Sequence, residues 1–165
     1  MSRHAPFFRS SLHTFDRLLV ALTLTIAVLA FSALSAAGVA HAQSQSKRTP
    51  APEGARVYII SPENGAEVSS PVTVRFGLSG MGVAPAGVKR AGTGHHHLII
   101  DSPLPPPGQP VPADEKHRHF GGGQTEVTVE LSPGTHTLQL LLADDMHVPH
   151  DPLVASDVVT VVVME

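Results

Sequence analysis

The chain from residue 57 onward alternates apolar and polar positions in short runs that are separated by Pro and Gly turns. A period of two is typical of β-strands that bury one face. Strands are predicted at 57–60, 71–78, 97–100, 124–131, 135–143 and 157–163. The predicted core residues are Val72, Val74, Phe76, Val127, Val129, Leu138, Leu140 and Leu142. Short strands at this spacing predict an all-β domain, specifically an antiparallel immunoglobulin-like β-sandwich.

The first 42 residues have the pattern of a secretory signal peptide. Three arginines precede a long apolar stretch, and the Ala-His-Ala sequence at 40–42 matches a cleavage site. The apolar stretch is also long enough to cross a bilayer as an uncleaved anchor, although the cleavage pattern favours removal. Residues 43–54 are polar and Pro-containing, which predicts a short disordered, flexible leader before a domain at 55–165. The domain is therefore expected to be periplasmic or secreted.

Charge and composition narrow the range of partners. Removal of residues 1–42 leaves eight basic and thirteen acidic side chains, so the mature chain has a net charge of −5. An acidic chain without basic runs is a poor partner for nucleic acid, and membrane contact is expected only through an uncleaved signal segment. The chain has no cysteine, so any metal must be held by nitrogen, oxygen or methionine sulfur.

Eight of the eleven histidines lie between residues 95 and 150. They form the groups His95-His96-His97, His117 with His119, His136 alone, and His147 with His150. Neutral imidazole is the commonest protein ligand for transition metals, and side chains two residues apart point to one side of a strand. We therefore predict one metal site built from three segments. Its predicted ligands are His95, His97, His117, His119, His147 and His150.

Two long connections, at 101–123 and 144–156, carry several of these histidines. The first contains six prolines and ends in three glycines, and the second contains two more prolines. Loops of this length inside a small domain are usually functional or disordered, and the histidines favour a function. His136 lies inside a predicted strand instead, which indicates a structural role.

Several segments of the chain are similar to those of a known bacterial family. They are GHHHLIID at 94–101, an LP pair at 104–105, HRHFGGGQTE at 117–126, LSPGTHTLQLLLAD at 131–144 and HVPHDP at 147–152. With this spacing, most of the mature chain resembles the family named domain of unknown function 4399. The resemblance implies a small secreted domain with a His-rich face, and it implies no particular activity.

Three functions remain open on the sequence. The first is a metal-binding module that holds copper(II), or else zinc(II), since nitrogen-rich sites without thiolate bind copper(II) most tightly. The second is a cell-envelope interaction or adhesion module with structural or pH-sensing histidines and an unidentified protein or cell-wall partner. The third is a copper-dependent metalloenzyme, in which cleavage after Ala40 would leave His41 as an N-terminal chelator. No nucleophile motif or phosphate-binding loop is present, which favours a non-enzymatic role.

Overall fold

A computed structural model describes residues 48–165, so the predicted signal peptide at 1–42 lies outside the described residues, as do residues 43–47. The described part of the chain is all-β, as predicted, and contains no helix that is long and apolar enough to span a membrane. Its strands are β1 (Arg56–Ser61), β2 (Ala66–Val68), β3 (Val72–Ser79), β4 (Gly82–Val83), β5 (Thr93–Ile100), β6 (His117–Phe120), β7 (Glu126–Val129), β8 (Gly134–Ala143) and β9 (Val159–Val163).

The smaller of two sheets has the strand order β1-β3-β7 and is antiparallel. Its central strand, β3, shows why the sequence pattern was informative. Val72, Val74 and Phe76 are at most 4% exposed, whereas Thr73 and Arg75 between them face solvent. The sheet therefore has one buried face and one solvated face, as strict alternation requires.

The larger sheet has the order β2-β9-β8-β5-β4, and β6 also pairs with β5. Every residue of β5 from Gly94 to Ile100 is buried, so this strand is covered on both faces. The pairings of β2 with β9 and of β4 with β5 are parallel. The prediction of purely antiparallel sheets is therefore wrong, because two short strands that follow strands of the smaller sheet join the larger sheet in the parallel direction.

Both sheets contribute side chains to one apolar core. Leu98 of β5, Leu140 of β8 and Val161 of β9 are completely buried and belong to the same cluster as Val74 and Phe76 of β3. Burying a side chain of this size stabilises the fold by roughly 1.5–3 kcal/mol. Seven of the eight predicted core residues are buried in this cluster, and the eighth is half-buried against it. The predicted core is confirmed.

A smaller apolar cluster lies on the other face of the larger sheet. Ile99 of β5 and Leu141 of β8 contact Val111, which belongs to the long connection between β5 and β6. The main-chain N–H of Val111 also donates to the carbonyl of His147 at 2.9 Å. The two long connections are thus anchored to the sheet and to each other beside the outward-facing histidines.

Residues 48–54, which are the second half of the predicted flexible leader, lie against the domain. The Arg48 side chain bonds to the loop at 149–151, and the N–H of Ala51 donates to the carbonyl of Asp151 at 2.8 Å. The leader prediction needs correction for this part of the chain. Its polar groups bond to a loop that the local pattern gave no reason to place nearby.

Candidate metal centre

Strand β5 places two imidazoles side by side on the outer face of the larger sheet. His95 and His97 share this face because side chains alternate along a strand. Their cross-strand neighbours on β8 are Ala143 and Leu141, so apolar residues flank them on that side. The two ring centroids are 4.9 Å apart, and the two Nε2 atoms are 3.0 Å apart.

Strand β6 brings a third imidazole to the same place. The carboxylate of Asp114 accepts two main-chain N–H bonds of 2.9 and 3.0 Å, which turn the chain back along β5. His119 then lies opposite His97 in the ladder. Its ring centroid is 4.9 and 5.1 Å from those of the two β5 imidazoles. This antiparallel turn therefore determines where the third imidazole lies.

Gly121 leaves room for the ring of His119. A Cβ atom at this position would lie 2.3 Å from Cε1 and 2.5 Å from Nε2 of the imidazole. Gly121 does not have a positive φ, so its lack of a side chain matters here rather than its backbone freedom. Any larger residue would displace the His119 ring.

His147 supplies the fourth imidazole from the loop after β8. The Oδ1 atom of Asp144 accepts the N–H groups of Met146 and Val148 at 2.9 and 3.0 Å. The N–H of His147 donates to the carbonyl of Asp144 at 2.9 Å, which closes the turn. His147 has φ 67°, a left-handed conformation that costs a non-glycine residue about 1–3 kcal/mol. The hydrogen bonds around Asp144 hold it in that conformation.

These residues form one group, which we name the four-histidine cluster: His95, His97, His119 and His147. All pairwise distances between their ring centroids lie between 4.6 and 6.0 Å. One ring nitrogen from each of the first three lies within 4.8 Å of the others. A tetrahedral ion with bonds of 2.0–2.1 Å places its ligand nitrogens about 3.4 Å apart. The Nε2 atoms of His95 and His97, 3.0 Å apart, are already close to that separation.

The cluster is closed on one side and open on the other. His95 and His97 are 0% and 1% exposed, His147 is half-buried, and His119 is exposed. Two imidazoles therefore form a buried base, and two form a rim that solvent reaches. An ion has an entry path along the His119 side.

The surroundings of His95, His97 and His119 favour the uncharged form of each imidazole. Burial and, to a smaller extent, the adjacent rings of His147 and His119 together lower the pKa of His95 to about 4, while the carboxylate of Asp144 acts in the opposite direction. Burial lowers the pKa of His97 to about 2, with smaller contributions from the neighbouring imidazoles. Burial also lowers the pKa of His119. The lone pairs of these rings are therefore available at neutral pH, as metal coordination requires.

The buried base has few hydrogen-bond partners of its own. The Nδ1 atoms of His95 and His97 are buried without a partner among the described residues. Their Nε2 atoms face each other, so at most one proton lies between them. Unpaired buried polar atoms are costly and are retained mainly where they serve a site. The facing Nε2 atoms are the pair that one ion could share, and the Nδ1 atoms would then remain without a protein partner among the described residues.

Two predicted ligands, His117 and His150, do not join the cluster. The Nδ1 atom of His117 is 2.7 Å from the carboxylate of Asp114. His150 lies on the opposite face of β5, because a Cβ on Gly94 would be 3.0 Å from its ring. Its Nε2 atom is 3.2 Å from the carbonyl oxygen of Thr93. Four of the six predicted ligands therefore converge, and their role in binding metal stays a prediction.

The other histidines of the domain have different surroundings. His96 points into the main core, where its ring centroid is 5.2 Å from that of Phe76. His136 lies on β8 with Nδ1 2.7 Å from the carboxylate of Asp101. Met146, next to His147, is 67% exposed. None of these three side chains belongs to the four-histidine cluster.

Sequence reasoning missed two residues that position the imidazoles, namely Gly121 and Asp144. A usable signal for the first was a glycine two residues after a histidine, on the same side of an extended segment. A signal for the second was the Asp-Asp pair at the end of a strand, since Asp side chains bond to main-chain N–H groups in turns. Neither signal can be interpreted from the sequence alone, because each depends on where β6 or β8 ends.

Comparison with known proteins assigns the chain to a family. No curated protein and no solved structure matches the chain. A family model described as domain of unknown function (DUF4399) matches residues 74–164, which is more than half of the chain. The matched range includes the whole four-histidine cluster, together with Gly121 and Asp144. The chain therefore belongs to the DUF4399 family, in agreement with the resemblance of its segments.

Proposed function

We propose that this domain is a metal-binding module that holds one transition-metal ion in the four-histidine cluster. The observation that carries the proposal is the convergence of imidazole rings from two strands and a loop, with ring nitrogens of His95, His97 and His119 close together. Histidines that served only as surface groups would have no reason to meet with their ring nitrogens facing one another. His95 and His97 are the base ligands, and His119 and His147 complete the site from the rim.

Copper(II) is the ion that this donor set favours, and zinc(II) is the second choice. The donors are all imidazole nitrogens, and the chain has no thiolate. In the general order of affinities for such ligands, copper(II) exceeds zinc(II). Imidazole also suits zinc(II), so the supply of each ion to the protein decides which one is bound in the cell.

We further propose that the module works outside the cytoplasmic membrane and that its two sheets form an immunoglobulin-like sandwich. The signal pattern at 1–42 supports the first statement, and the core shared by both sheets supports the second. Absence of cysteine suits a metal site in an oxidising compartment, because imidazole ligands do not form disulfides.

Metal titration of the untagged, full-length secreted protein tests the proposal directly. We expect one copper(II) or zinc(II) per chain by elemental analysis after dialysis. An ion at 100 times its dissociation constant stabilises the native state by about 2.7 kcal/mol, which corresponds to a rise in Tm of roughly 10 °C for a domain of this size. If neither ion is retained and neither raises Tm at neutral pH, the proposal is wrong.

Two matched variants separate the cluster from other histidines. His119→Gln removes an exposed rim ligand, so the fold should be preserved while metal affinity falls by at least about 100-fold, more than is usual when only a residue that supports a ligand is changed. His136→Gln removes an imidazole outside the cluster and should leave affinity unchanged. Equal affinities of the two variants would contradict the assignment.

A further inference from the structure

The segment 48–51, which we name the N-terminal strap, lies across the loop that follows β8. The guanidinium of Arg48 donates to the carbonyl oxygens of Pro149 and His150 and to the carboxylate of Asp151. The Arg48 side chain is only 19% exposed, so its bonds to the two carbonyl oxygens are partly shielded from water, whereas the bond to the Asp151 carboxylate is exposed. Two main-chain bonds of 2.8 and 3.0 Å between the strap and Asp151 extend the contact. The strap therefore fixes the far end of the loop.

A second contact fixes the near end of the same loop. The hydroxyl of Thr49 donates to Oδ2 of Asp144 at 2.6 Å. The other oxygen of this carboxylate accepts the N–H groups of Met146 and Val148, on either side of His147. His147, which has the left-handed backbone conformation, thus lies between two parts of the loop that the strap contacts, Asp144 and residues 149–151.

We propose that the N-terminal strap positions the His147 imidazole over the other three rings and thereby slows release of the bound ion. His147 is the one member of the cluster on a loop, whereas His95, His97 and His119 are held by the ladders of β5 and β6. Loops open locally more readily than paired strands, so bracing this ligand acts mainly on the dissociation rate. The inference rests on the proposed function of the cluster.

Three substitutions in the untagged full chain test the strap. Arg48→Met keeps most of the alkyl stem and removes all three guanidinium bonds. Thr49→Val has the same shape and removes only the hydroxyl donor, whereas Thr49→Ser keeps the donor. Each protein is loaded with copper(II) and mixed with excess chelator in a stopped-flow instrument. We expect release about 10-fold faster for Arg48→Met, about 3-fold faster for Thr49→Val, and unchanged for Thr49→Ser.

A double-mutant cycle separates positioning from general destabilisation. In a His147→Ala background the strap has no ligand left to position, so adding Arg48→Met should not accelerate release further. If Arg48→Met accelerates release equally in both backgrounds, or leaves release unchanged in the wild-type background, the proposal is overturned.

Hydrogen exchange of the metal-free protein tests positioning without any ion. The amides of Met146 and Val148 are bonded to Asp144, and we expect both to exchange faster in Arg48→Met while amides of the core strand β8 do not change. Unchanged exchange of these two amides would overturn the strap's role even if wild-type protein binds copper(II). If wild-type protein binds neither copper(II) nor zinc(II), the proposed function fails, and the role of the strap in metal release fails with it.

Discussion

The two faces of strand β5 carry the same residue type in opposite surroundings. On the inner face, His96 lies beside the ring of Phe76 in the core, and neither of its ring nitrogens has a hydrogen-bond partner among residues 48–165. The main chain of Gln124 approaches the ring without reaching hydrogen-bond geometry. On the outer face, His95 and His97 meet two further imidazoles from other segments. Consecutive histidines thus occupy an apolar core and a candidate metal site.

The difference comes from what covers each face. The inner face is sealed by the smaller sheet, which offers only apolar side chains such as Phe76. On the outer face, the neighbouring strand β6 contributes His119 and the loop after β8 contributes His147, and one side stays open to solvent. The number of consecutive histidines therefore does not give the number of metal ligands. The side of the strand on which each one lies decides its chemistry.

The largest expected effect is the loss of copper(II) affinity when a ligand on the outer face of β5 is removed. His97→Leu removes a base ligand and puts an apolar side chain of comparable size in its place. A ligand set reduced to one base imidazole and two rim imidazoles should bind copper(II) at least about 100-fold more weakly, which corresponds to about 2.7 kcal/mol. Competition titration with a chromophoric chelator measures the change.

The same substitution one residue earlier provides the matched control for this experiment. His96→Leu changes the inner face of β5 and leaves all four cluster imidazoles in place. Its copper(II) affinity should equal that of the wild type. If both leucine variants lose binding to the same extent, the two faces do not differ in the way the structure indicates.

The next largest effect concerns the space beside His119. Gly121→Ala adds a Cβ that would lie 2.3 Å from the His119 ring, so the ring must move away from the cluster. We expect copper(II) affinity to fall roughly 10- to 100-fold, in the range found when the support of a ligand is disturbed. Calorimetric titration measures the loss, and Tm of the metal-free protein should change by only a few degrees.

Gly122→Ala is the control for the glycine substitution. The nearest atoms to a Cβ at position 122 belong to the flexible side chain of Gln124, at 3.2–3.3 Å, and not to an imidazole. Its affinity should stay within about twofold of the wild type. An equal loss in both variants would indicate that backbone stiffness, rather than the space beside His119, controls the site.

A smaller effect, a gain in stability rather than a loss of affinity, is expected from a substitution on the inner face of β5. His96→Leu replaces two unpartnered ring nitrogens in the core by apolar groups, which removes the desolvation cost of a buried polar side chain. We expect the free energy of unfolding of the metal-free protein to rise by about 1–2 kcal/mol. Urea unfolding followed by circular dichroism measures it, and a decrease of stability would show that His96 makes a favourable interaction in the core.

The sequence predicted the fold better than the site. The burial of a strand face depends on neighbouring residues in the sequence, whereas the site depends on contacts between distant segments. Alternation in β3 and β8 identified the core residues, since burial of one face is a local property of a strand. The same rule correctly separated His96 from His95 and His97. It did not find β6, because the prolines and glycines around this four-residue strand indicated a loop.

Long-range contacts explain the errors in the candidate ligands. His150 lies three residues after His147 and was predicted to join the same site, but the chain passes to the inner face of β5 between them. His117 was grouped with His119 through their spacing, but its Nδ1 atom is bonded to Asp114. Neither partner is evident from periodicity, since each depends on a turn whose geometry is set elsewhere in the fold.

The smallest expected effect concerns His136, which contrasts with the β5 histidines in its charge. The Nδ1 atom of His136 is 2.7 Å from the carboxylate of Asp101, and its Nε2 atom is 2.8 Å from the carbonyl of Ser132. An imidazole that donates from both nitrogens is protonated. The hydrogen bond to Asp101 accordingly raises the pKa of His136, whereas burial lowers the pKa values of His95 and His97.

The sign of the pH dependence follows from that shift. The folded-state pKa of His136 lies above the unfolded value near 6.5, so its contribution to stability is complete below about pH 6.5 and is lost as pH rises through the folded-state pKa. His136→Gln should therefore lower the free energy of unfolding by roughly 0.5–1.5 kcal/mol at pH 5.5 and by less at pH 9. Urea titrations of metal-free protein at both pH values measure this, and Asp101→Asn should show the same trend. A loss that is equal at pH 5.5 and pH 9 would mean that His136 is neutral in the fold and that its charge does not distinguish it from the histidines of β5.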